Sequence, residues 1–464
     1  MINLFENYTR ETKDLHISLL MGGIKVPTVV INDDGFLPND VTSPLQFFLK
    51  QAGARLFGKP RYFNQVPVSQ YWAIQATARS GKILDHGVER ARIEFAAPDN
   101  TRSVKAVTWL DAQGTPRVID RYNQWGWQFA QIICNRKGKP VLTTYRTDTG
   151  KEVLVHNHLT GTVVANQADG KVKLYPDWPS LVADYLQQAH FNLDQVNFNT
   201  LNFPFFTLNR LGDGVGLKRL FWQEQLPDGI PGNMQYLLDG KGGQYEIKVQ
   251  HRQVFTRLQQ LLSKKALPVA YLGYAYAFKR LNQRRAHALI LTNSDQIEQL
   301  EAIIKGLPEM TFAIGAITEM SSKLLAFGRY PNVHLYPQIR PTQVGRLVAW
   351  ADYYLDINHQ DEIFDVVRMA FENNMLISAF KNTLHQPRYV APQNIYESAK
   401  VNQLIINLQQ TLHSPVILEK RLQAQWQAAD RSFPKDYQAL NLKGKKEASK
   451  SIWYLQVFVS KPIV

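Results

Sequence analysis

The sequence predicts an α/β protein with two Rossmann-like, doubly wound domains and an inserted, extended antiparallel β-sheet domain. Apolar strands and amphipathic helices alternate over residues 1–60, 174–263 and 264–397, which favours parallel sheets with right-handed crossovers. Residues 61–173 instead consist of β-rich runs separated by glycines, a pattern typical of an antiparallel meander. A chain of 464 residues is long enough for two or three domains of ordinary size.

Residues 1–60 are expected to form the first part of the first Rossmann-like domain. The stretch "TRETKDLHISLLMGG" predicts a helix with a polar cap, and "TVVIND" predicts the strand after it. Asp33 and Asp34 follow this strand directly. A turn after a strand favours Asp for structural reasons, but two neighbouring carboxylates are also suited to a general base or a metal pair, and both interpretations stand.

Residues 61–173 are expected to form the inserted sheet. Glycines at 114, 138, 150 and 170 separate runs rich in β-branched and aromatic residues, which indicates a series of hairpins. The edge strands of such a sheet carry unpaired amides and carbonyls that invite pairing with another protein. We therefore expect this domain to dock a partner.

The α/β pattern resumes at residue 174, where the second part of the first Rossmann-like domain is expected to extend to residue 263. A second alternating series over residues 264–397 predicts the second Rossmann-like domain, and residues 398–464 read as a helical segment with a basic tail. Two such domains facing each other form the architecture called GT-B among glycosyltransferases. Its ligands bind in the cleft at the carboxyl ends of the strands.

Composition limits the possible partners and location of the protein but does not identify its function. The 53 Lys and Arg against 39 Asp and Glu give a net charge of +14, which suits nucleic acid, an anionic membrane surface or an acidic protein. No nucleic-acid-binding module is recognisable, so we expect no nucleic-acid partner. Cys134 is the single cysteine and excludes an internal disulfide. The N-terminus lacks the pattern of a secretion signal, and we expect a cytoplasmic protein.

The stretch "INHQDEIFDVVRMAFENNMLISAF" lies where retaining GT-B transferases keep two glutamates for the donor sugar and the nucleotide ribose. Aligned on its last strand, the first glutamate falls at Asp361 and the second at Met369. A thioether cannot usefully accept hydrogen bonds from a ribose. Glu362 and Phe364 also replace two loop glycines that allow close approach of a diphosphate. The segment thus indicates a degenerate donor motif, and we predict no catalytic and no cofactor-binding residues.

Two interpretations of the remaining acids stay open. Asp365 with Arg368, and Arg368 with Glu372, have the spacing of ion pairs on a helix surface. Alternatively, Glu362, Asp365 or Glu372 replaces the missing acid, and the chain is an active retaining GT-B glycosyltransferase that uses UDP-N-acetylglucosamine.

Other candidate sites are less specific. His156 and His158 lie two apart on one predicted strand and face the same side, but no third metal ligand accompanies them, so we predict no metal site. Trp222 and Asn233 lie in "FWQEQLPDGIPGN", a proline- and glycine-rich loop at the end of a strand. Together with Asp33 and Asp34 they are our candidates for lining an acceptor cleft.

Several separated stretches of the sequence are distinctive: "LFENYTRETKDLHISLL", "PTVVINDDGFLP", "YNQWGWQFAQ", "IPGNM" and "DEIFDVVRMAFENNMLISAF". Together they closely resemble the GtfB family, and the likeness extends from the N-terminus to about Phe380. The family consists of stabilising, co-activator subunits of the peptide O-N-acetylglucosaminyltransferase that belongs to the accessory Sec system of Gram-positive bacteria.

The resemblance implies a GT-B-like protein with an inserted β-sheet domain and no transferase activity of its own. Its implied partner is the catalytic subunit GtfA, in a heterotetramer with two copies of each chain. The complex is expected to add the first N-acetylglucosamine to Ser and Thr of a serine-rich repeat adhesin, which this subunit binds before export. UDP-N-acetylglucosamine is expected to bind the catalytic partner, and the complex to attach peripherally to the inner membrane face.

Overall fold

The computed structural model describes residues 1–77, 79–97, 101–167, 170–226, 229–262 and 268–443. The predicted domain boundary between residues 263 and 264 and the basic tail beyond Lys443 lie outside these residues. The chain divides into two compact units, Met1–Lys13 with Lys25–Leu272, and Asp14–Ile24 with Gly273–Val464. The first helix, α1, contributes residues to both units.

A parallel sheet of seven strands forms one part of the first unit. The strands lie in the order β17-β16-β15-β14-β1-β2-β3, and every described pairing is parallel. Their bounds are β1 Ile2–Phe5, β2 Thr28–Val30, β3 Val41–Thr42, β14 Gln195–Phe198, β15 Leu217–Trp222, β16 Tyr245–Val249 and β17 Val269–Tyr271. Helix α1, which both units share, is Arg10–Met21, and the helices that lie entirely in the first unit are α2 Pro44–Gln51, α3 Trp178–Gln188, α4 Phe203–Leu211, α5 Gly232–Leu238 and α6 Arg252–Leu261.

An antiparallel sheet of ten strands forms the rest of the first unit. Its strands pair in sequence order from β4 to β13. They are β4 Ala73–Ala76, β5 Ser80–Asp85, β6 Val88–Phe95, β7 Val104–Leu110, β8 Pro116–Tyr122, β9 Gln128–Cys134, β10 Pro140–Arg146, β11 Glu152–Asn157, β12 Val163–Asn166 and β13 Val172–Tyr175. The turn glycines at 114, 138, 150 and 170 have φ between 73° and 84°, the left-handed backbone that glycine adopts without strain. The predicted meander is therefore confirmed.

The two ends of the antiparallel sheet are buried in different ways. Phe129, Leu154 and Val163 belong to the same hydrophobic core as Leu4 and Leu181 of the parallel layer. The strands at the other end bury a separate small core that includes Ile83, Ile93, Val104 and Val107. One end of the sheet is thus fixed to the α/β layer, and the other end is stabilised by its own contacts.

The second unit contains a six-stranded parallel sheet in the order β20-β19-β18-β21-β22-β23. Its strands are β18 His287–Thr292, β19 Thr311–Ala316, β20 Val333–Tyr336, β21 Tyr353–Asp356, β22 Leu376–Phe380 and β23 Ile395–Tyr396. Its helices are α7 Leu300–Gly306, α8 Ser322–Leu325, α9 Pro341–Trp350, α10 Val366–Glu372, α11 Val401–His413, α12 Pro415–Ala428 and α13 Pro434–Lys443. The central strands are apolar almost throughout because both faces of a parallel sheet are covered.

Candidate functional site

Polar side chains follow most strands of the first parallel sheet at the carboxyl edge, where α/β sheets commonly bind ligands. They are Glu6 after β1, Asn32 and Asp33 after β2, Asn199 and Thr200 after β14, Gln223 and Glu224 after β15, and Gln250 and His251 after β16. Because the strands are parallel, all these residues lie at one edge of the sheet.

Hydrogen bonds connect many of these side chains. The Glu6 carboxylate accepts a bond from the Thr200 hydroxyl at 2.6 Å. The Asn199 amide donates to Gln223 Oε1 at 3.0 Å, and Gln223 Nε2 donates to Gln250 Oε1 at 2.8 Å. Since four of these five residues are buried, the network fixes the loops at this edge and leaves little polar capacity unused.

Asp33 is a structural anchor for the start of α2. Its Oδ1 accepts the backbone N–H of Gly35 at 2.8 Å, and its Oδ2 accepts bonds from Ser43 Oγ at 2.6 Å and Gln46 Nε2 at 3.1 Å. Burial raises the pKa of Asp33, and these three donors oppose the rise. Asp34 is half-exposed and lies 3.2 Å from Lys105 Nζ. The structure thus favours the turn interpretation of this pair of acids.

Trp222, which was predicted to line an acceptor cleft, has no exposed surface. Trp222 ends the interior strand β15 and is completely buried, so neither ring face can stack on a ligand. Its Nε1–H donates to Glu224 Oε2 at 3.0 Å, which also accepts the backbone N–H of Leu201 at 2.9 Å. Asn233 is half-buried and donates to the Leu201 carbonyl at 2.9 Å. Both candidates therefore hold loops in place.

A cavity of about 260 Å³ opens beside Asp33 within the first unit. It is lined by Asn32, Asp33, Leu45, Arg121, Tyr145, His156, His158, Trp178 and Phe203. Of the four predicted cleft residues, this cavity includes Asp33 and not Asp34, Trp222 or Asn233. Sequence reasoning missed the contributions of Arg121 and Tyr145, because they come from strands β8 and β10 of the inserted sheet and their proximity depends on tertiary packing.

The two histidines of this cavity are neighbours, as the sequence spacing suggested. Their ring centroids lie 4.2 Å apart, and the His156 ring lies 5.2 Å from that of Trp178. His158 Nε2 is 2.7 Å from the Thr143 hydroxyl. Burial, with a smaller effect from His158, lowers the pKa of His156 to about 4, so His156 is neutral at pH 7.

In the second unit, the helix that follows Asp361 and carries Met369 of the degenerate donor motif begins at Val366. Phe364 and Asp365 immediately before it have φ of 55° and 54°. This left-handed backbone is uncommon for a phenylalanine and favours glycine. Phe364 occupies a position that aligns with a loop glycine of retaining transferases. The loop therefore has a glycine-type conformation without the glycine.

Glu362 lies in the loop just before the same helix. Its carboxylate accepts the backbone N–H of Val367 at 2.9 Å and a bond from Gln386 Nε2 at 2.6 Å. Burial raises the pKa of Glu362, and the two hydrogen bonds oppose this effect. Gln386 also donates to Asp365 at 2.7 Å. A carboxylate of the chain itself thus caps the helix end near which a transferase would hold its donor.

Met369 and Arg368 lie on α10. Met369 is half-buried and offers no strong acceptor at the ribose-acid position. Arg368 Nε lies 2.9 Å from Glu372 Oε1, which confirms that predicted pair. The other carboxylate that pairs with Arg368 is that of Asp14, rather than the predicted Asp365.

Two loops pair at the carboxyl edge of the second sheet. The backbone N–H of Glu298 donates to the Ile357 carbonyl at 2.8 Å, and that of His359 donates to the Gln296 carbonyl at 3.1 Å. These bonds join the segment after β18 to the segment after β21. Asn358 lies buried between them.

The fold is that of a mixed α/β protein with two parallel sheets and one large antiparallel sheet. Family models match most of the chain. They are the GtfB N-terminal domain over residues 2–48, the GtfB middle domain over 72–176, the GtfB third domain over 179–261 and the GftB/GlyA-F C-terminal domain over 288–425.

Full-length relatives agree with these matches. The chain is 40% identical over 432 residues to the UDP-N-acetylglucosamine–peptide N-acetylglucosaminyltransferase stabilizing protein GtfB of Streptococcus pneumoniae, with 93% of this chain and 96% of that protein covered. It is 40% identical over 442 residues to the protein of the same name from Limosilactobacillus reuteri, with 95% and 98% covered. The chain belongs to the GtfB family.

Solved structures give the same result. A chain of the GtfA/B complex bound to UDP and GlcNAc matches with a TM-score of 0.87 at 38% identity, over 96% of this chain and 99% of that one. The pneumococcal O-GlcNAc transferase GtfA, at 12% identity and a TM-score of 0.50 over 96% and 99%, shares the fold alone. None of the helices within the described residues has both the length and the apolar character needed to span a bilayer.

Proposed function

We propose that this chain is the non-catalytic, stabilising and acceptor-binding subunit of a UDP-N-acetylglucosamine:peptide N-acetylglucosaminyltransferase complex. The names of its full-length relatives support the stabilising role. Met369 is the observation that carries the non-catalytic part. A donor site of the retaining type needs a carboxylate for the ribose at this position, and a thioether cannot replace it.

The surroundings of Met369 support the same proposal. The Glu362 carboxylate, 2.9 Å from the N–H of Val367, would repel a diphosphate from the start of α10. The paired loops after β18 and β21 also use backbone groups for bonds to each other. Restoring one glutamate would therefore be insufficient to create a donor site.

The proposed catalytic partner is a GtfA-type subunit, which would bind UDP-N-acetylglucosamine. We infer a heterotetramer of two copies of each chain, docked through the ten-stranded sheet, whose outermost strands are β4 and β13. The proposed acceptor is a serine-rich repeat adhesin of the accessory Sec system. The proposed location is the cytoplasm, with peripheral attachment to the inner membrane face that the net charge of +14 would favour.

The proposed architecture is GT-B-like, and the two parallel sheets are its two Rossmann-like domains. The proposed division is 1–60 and 174–263 for the first domain, 61–173 for the inserted sheet, 264–397 for the second domain and 398–464 for the helical segment and tail. Strands β4 to β13, which cover residues 73–175, support an inserted sheet in this region, and the first of them begins at Ala73 rather than near residue 61.

Incorporation of labelled N-acetylglucosamine from UDP-N-acetylglucosamine into a Ser/Thr-rich peptide tests the function. The chain, the catalytic subunit and their mixture are compared at equal concentrations. We expect no incorporation by the chain alone and incorporation by the mixture well above the sum of the separate reactions. Incorporation by the chain alone would contradict the proposal.

The alternative function is that of an active retaining transferase in which Glu362, Asp365 or Glu372 replaces the missing acid. Burial of Glu362 and its hydrogen bonds to Val367 and Gln386 make this acid a structural group. Calorimetry with UDP-N-acetylglucosamine separates the two functions. Saturable binding to the lone chain that the Glu362→Gln variant abolishes would support the transferase.

A further inference from the structure

The cavity of the first unit contains hydrogen-bond donors that no group of the protein uses. The Trp178 side chain is 6% exposed, and its Nε1–H has no hydrogen-bond partner among the described residues. Leaving a buried indole N–H unsatisfied costs free energy unless a ligand or water accepts it. Trp178 begins α3 and lines the cavity, so an acceptor placed there would satisfy it.

Arg121 is a second unused donor. Its guanidinium contacts the ring of Phe129, with 5.4 Å between the guanidinium carbon and the centroid, and makes no ion pair within the described part of the chain. A half-buried arginine without a carboxylate partner is uncommon, because its charge has lost part of its hydration. The Tyr145 hydroxyl likewise makes no described hydrogen bond. Burial raises the pKa of Tyr145, and the nearby charge of Arg121 opposes that rise.

Asp33 and His158, by contrast, are already bonded to other groups of the protein. The two oxygens of Asp33 accept three bonds, from Gly35, Ser43 and Gln46. His158 is bonded to the Thr143 hydroxyl. Because the unused groups are mainly donors and one of them is cationic, the cavity is complementary to an anion.

The volume of the cavity and the residues that line it limit which anions can bind there. About 260 Å³ is just below the roughly 300–1,000 Å³ typical of small-molecule sites, so a side chain fits and a nucleotide does not. A single arginine matches one negative charge, whereas phosphate groups usually meet clusters of arginines. Trp178, His156 and Phe203 supply apolar walls for methylene groups.

We propose that this cavity binds the carboxylate side chain of a Glu or Asp within the acceptor polypeptide, held by Arg121, Tyr145 and Trp178. This inference rests on the proposed acceptor-binding function and adds a determinant of its specificity. An acidic residue at a fixed distance from Ser or Thr would set the register of an otherwise repetitive and disordered chain. A free carboxylate would occupy the cavity more weakly, since it lacks the flanking backbone.

Fluorescence anisotropy with the full chain tests the proposal. Two labelled Ser/Thr-rich peptides are compared that differ only in one central residue, Glu or Gln. We expect the Glu peptide to bind about tenfold more tightly, the usual order of magnitude for a charge-assisted hydrogen-bonded pair. Arg121→Gln should reduce binding of the Glu peptide to the level of the Gln peptide, and Tyr145→Phe should produce a smaller loss.

Arg136→Gln is the matched control, because it removes the same charge from an exposed turn of the same sheet, away from the cavity. It should leave the ratio of the two affinities unchanged. Equal affinities for both peptides, or equal losses from Arg121→Gln and Arg136→Gln, would overturn the inference while leaving acceptor binding intact. Circular dichroism of each variant shows whether the fold is retained.

A second experiment, with small molecules, distinguishes the proposed carboxylate site from the proposed acceptor-binding function. N-acetylglutamate N-methylamide and its glutamine analogue are titrated by calorimetry at millimolar concentrations. If neither peptide binds but the glutamate compound does so in an Arg121-dependent manner, the carboxylate site stands and the acceptor-binding function fails. If neither peptide and neither small molecule binds, both proposals are wrong.

Discussion

His385 carries a positive charge at neutral pH, where most histidines are largely neutral. Its Nδ1 lies 2.6 Å from Asp356 Oδ1, and its Nε2 lies 2.7 Å from the Gln360 carbonyl oxygen. Both ring nitrogens face acceptors, so both donate and the ring is an imidazolium. The bond to Asp356, opposed by burial, raises the pKa of His385 to about 9. The ion pair between His385 and Asp356 holds the loop after β22 against the end of β21.

The raised pKa predicts a definite pH dependence of stability. The folded pKa lies above the unfolded value of 6.5, so the contribution of His385 is complete below that value and is lost as the pH rises through about 9. His385→Gln should therefore lower the free energy of unfolding at about pH 6 by more than at about pH 9.5. Denaturant unfolding at both pH values measures this difference.

His334→Gln is the control, since His334 is exposed and makes no described side-chain contact. It should have little effect at either pH. A constant deficit for His385→Gln across the range would mean that the imidazolium charge contributes nothing and that only packing is lost.

At the scale of elements, a polar row crosses the first parallel sheet. It consists of five residues that lie directly opposite one another on five adjacent strands: Thr28, Asn3, Asn197, Arg219 and Glu246. Asn197 Nδ2 donates to Asn3 Oδ1 at 2.8 Å, and Arg219 Nε donates to Glu246 Oε2 at 2.9 Å. A one-residue slip of any strand would break this row, so it specifies the register.

Arg219→Met should destabilise the protein strongly, because it leaves Glu246 without its arginine inside the sheet. The Arg219 side chain is 1% exposed, but that of Glu246 is 25% exposed and Lys248 Nζ lies 3.9 Å from it, so the loss should stay below the roughly 3–5 kcal/mol of a fully buried pair. Denaturant unfolding measures the loss. Arg92→Met, which removes an arginine that is 60% exposed and 2.6 Å from Glu89, should cost less than about 1 kcal/mol. Similar losses from both variants would contradict the role of the row.

Two glycines in turns of the antiparallel sheet have different structural roles. Gly126 has a φ of 90°, and a Cβ there would lie 2.3 Å from the Lys59 carbonyl oxygen. Gly114 has a φ of 78°, but a Cβ there would meet nothing within 4 Å. Gly126 thus permits a close approach of two backbone segments, whereas Gly114 serves only its own turn.

Gly126→Ala should consequently cost more stability than Gly114→Ala. Both substitutions introduce left-handed strain of about 1 kcal/mol, and only the first also forces two backbone segments apart. Thermal unfolding of the two variants under identical conditions tests the difference. Equal melting temperatures would show that the segment containing Lys59 moves away from the added methyl group without loss of stability.

At the scale of the whole molecule, sequence periodicity predicted the three sheets because each has its own repeat, alternating strands and helices in two cases and glycine turns in the third. Side-chain exposure was harder to predict. Trp222 was expected in a ligand cleft, but the interior position of β15 buries it, and strand order cannot be read from local sequence. The cavity formed by Arg121, Tyr145 and Trp178 was also invisible, since its walls are distant in sequence and meet only through packing.

The proposed stabilising role predicts a measurable effect of this chain on its catalytic partner. A partner that binds only the folded catalytic subunit raises its melting temperature by mass action, increasingly with concentration. If the β13 edge of the large sheet is the docking surface, Leu174→Lys should weaken this stabilisation, because Leu174 is 65% exposed on that edge strand and a lysine there opposes edge pairing. Leu281→Lys changes a residue that is 79% exposed in the second unit and should leave the stabilisation unchanged. Equal effects of the two variants in differential scanning fluorimetry would place the interface away from β13.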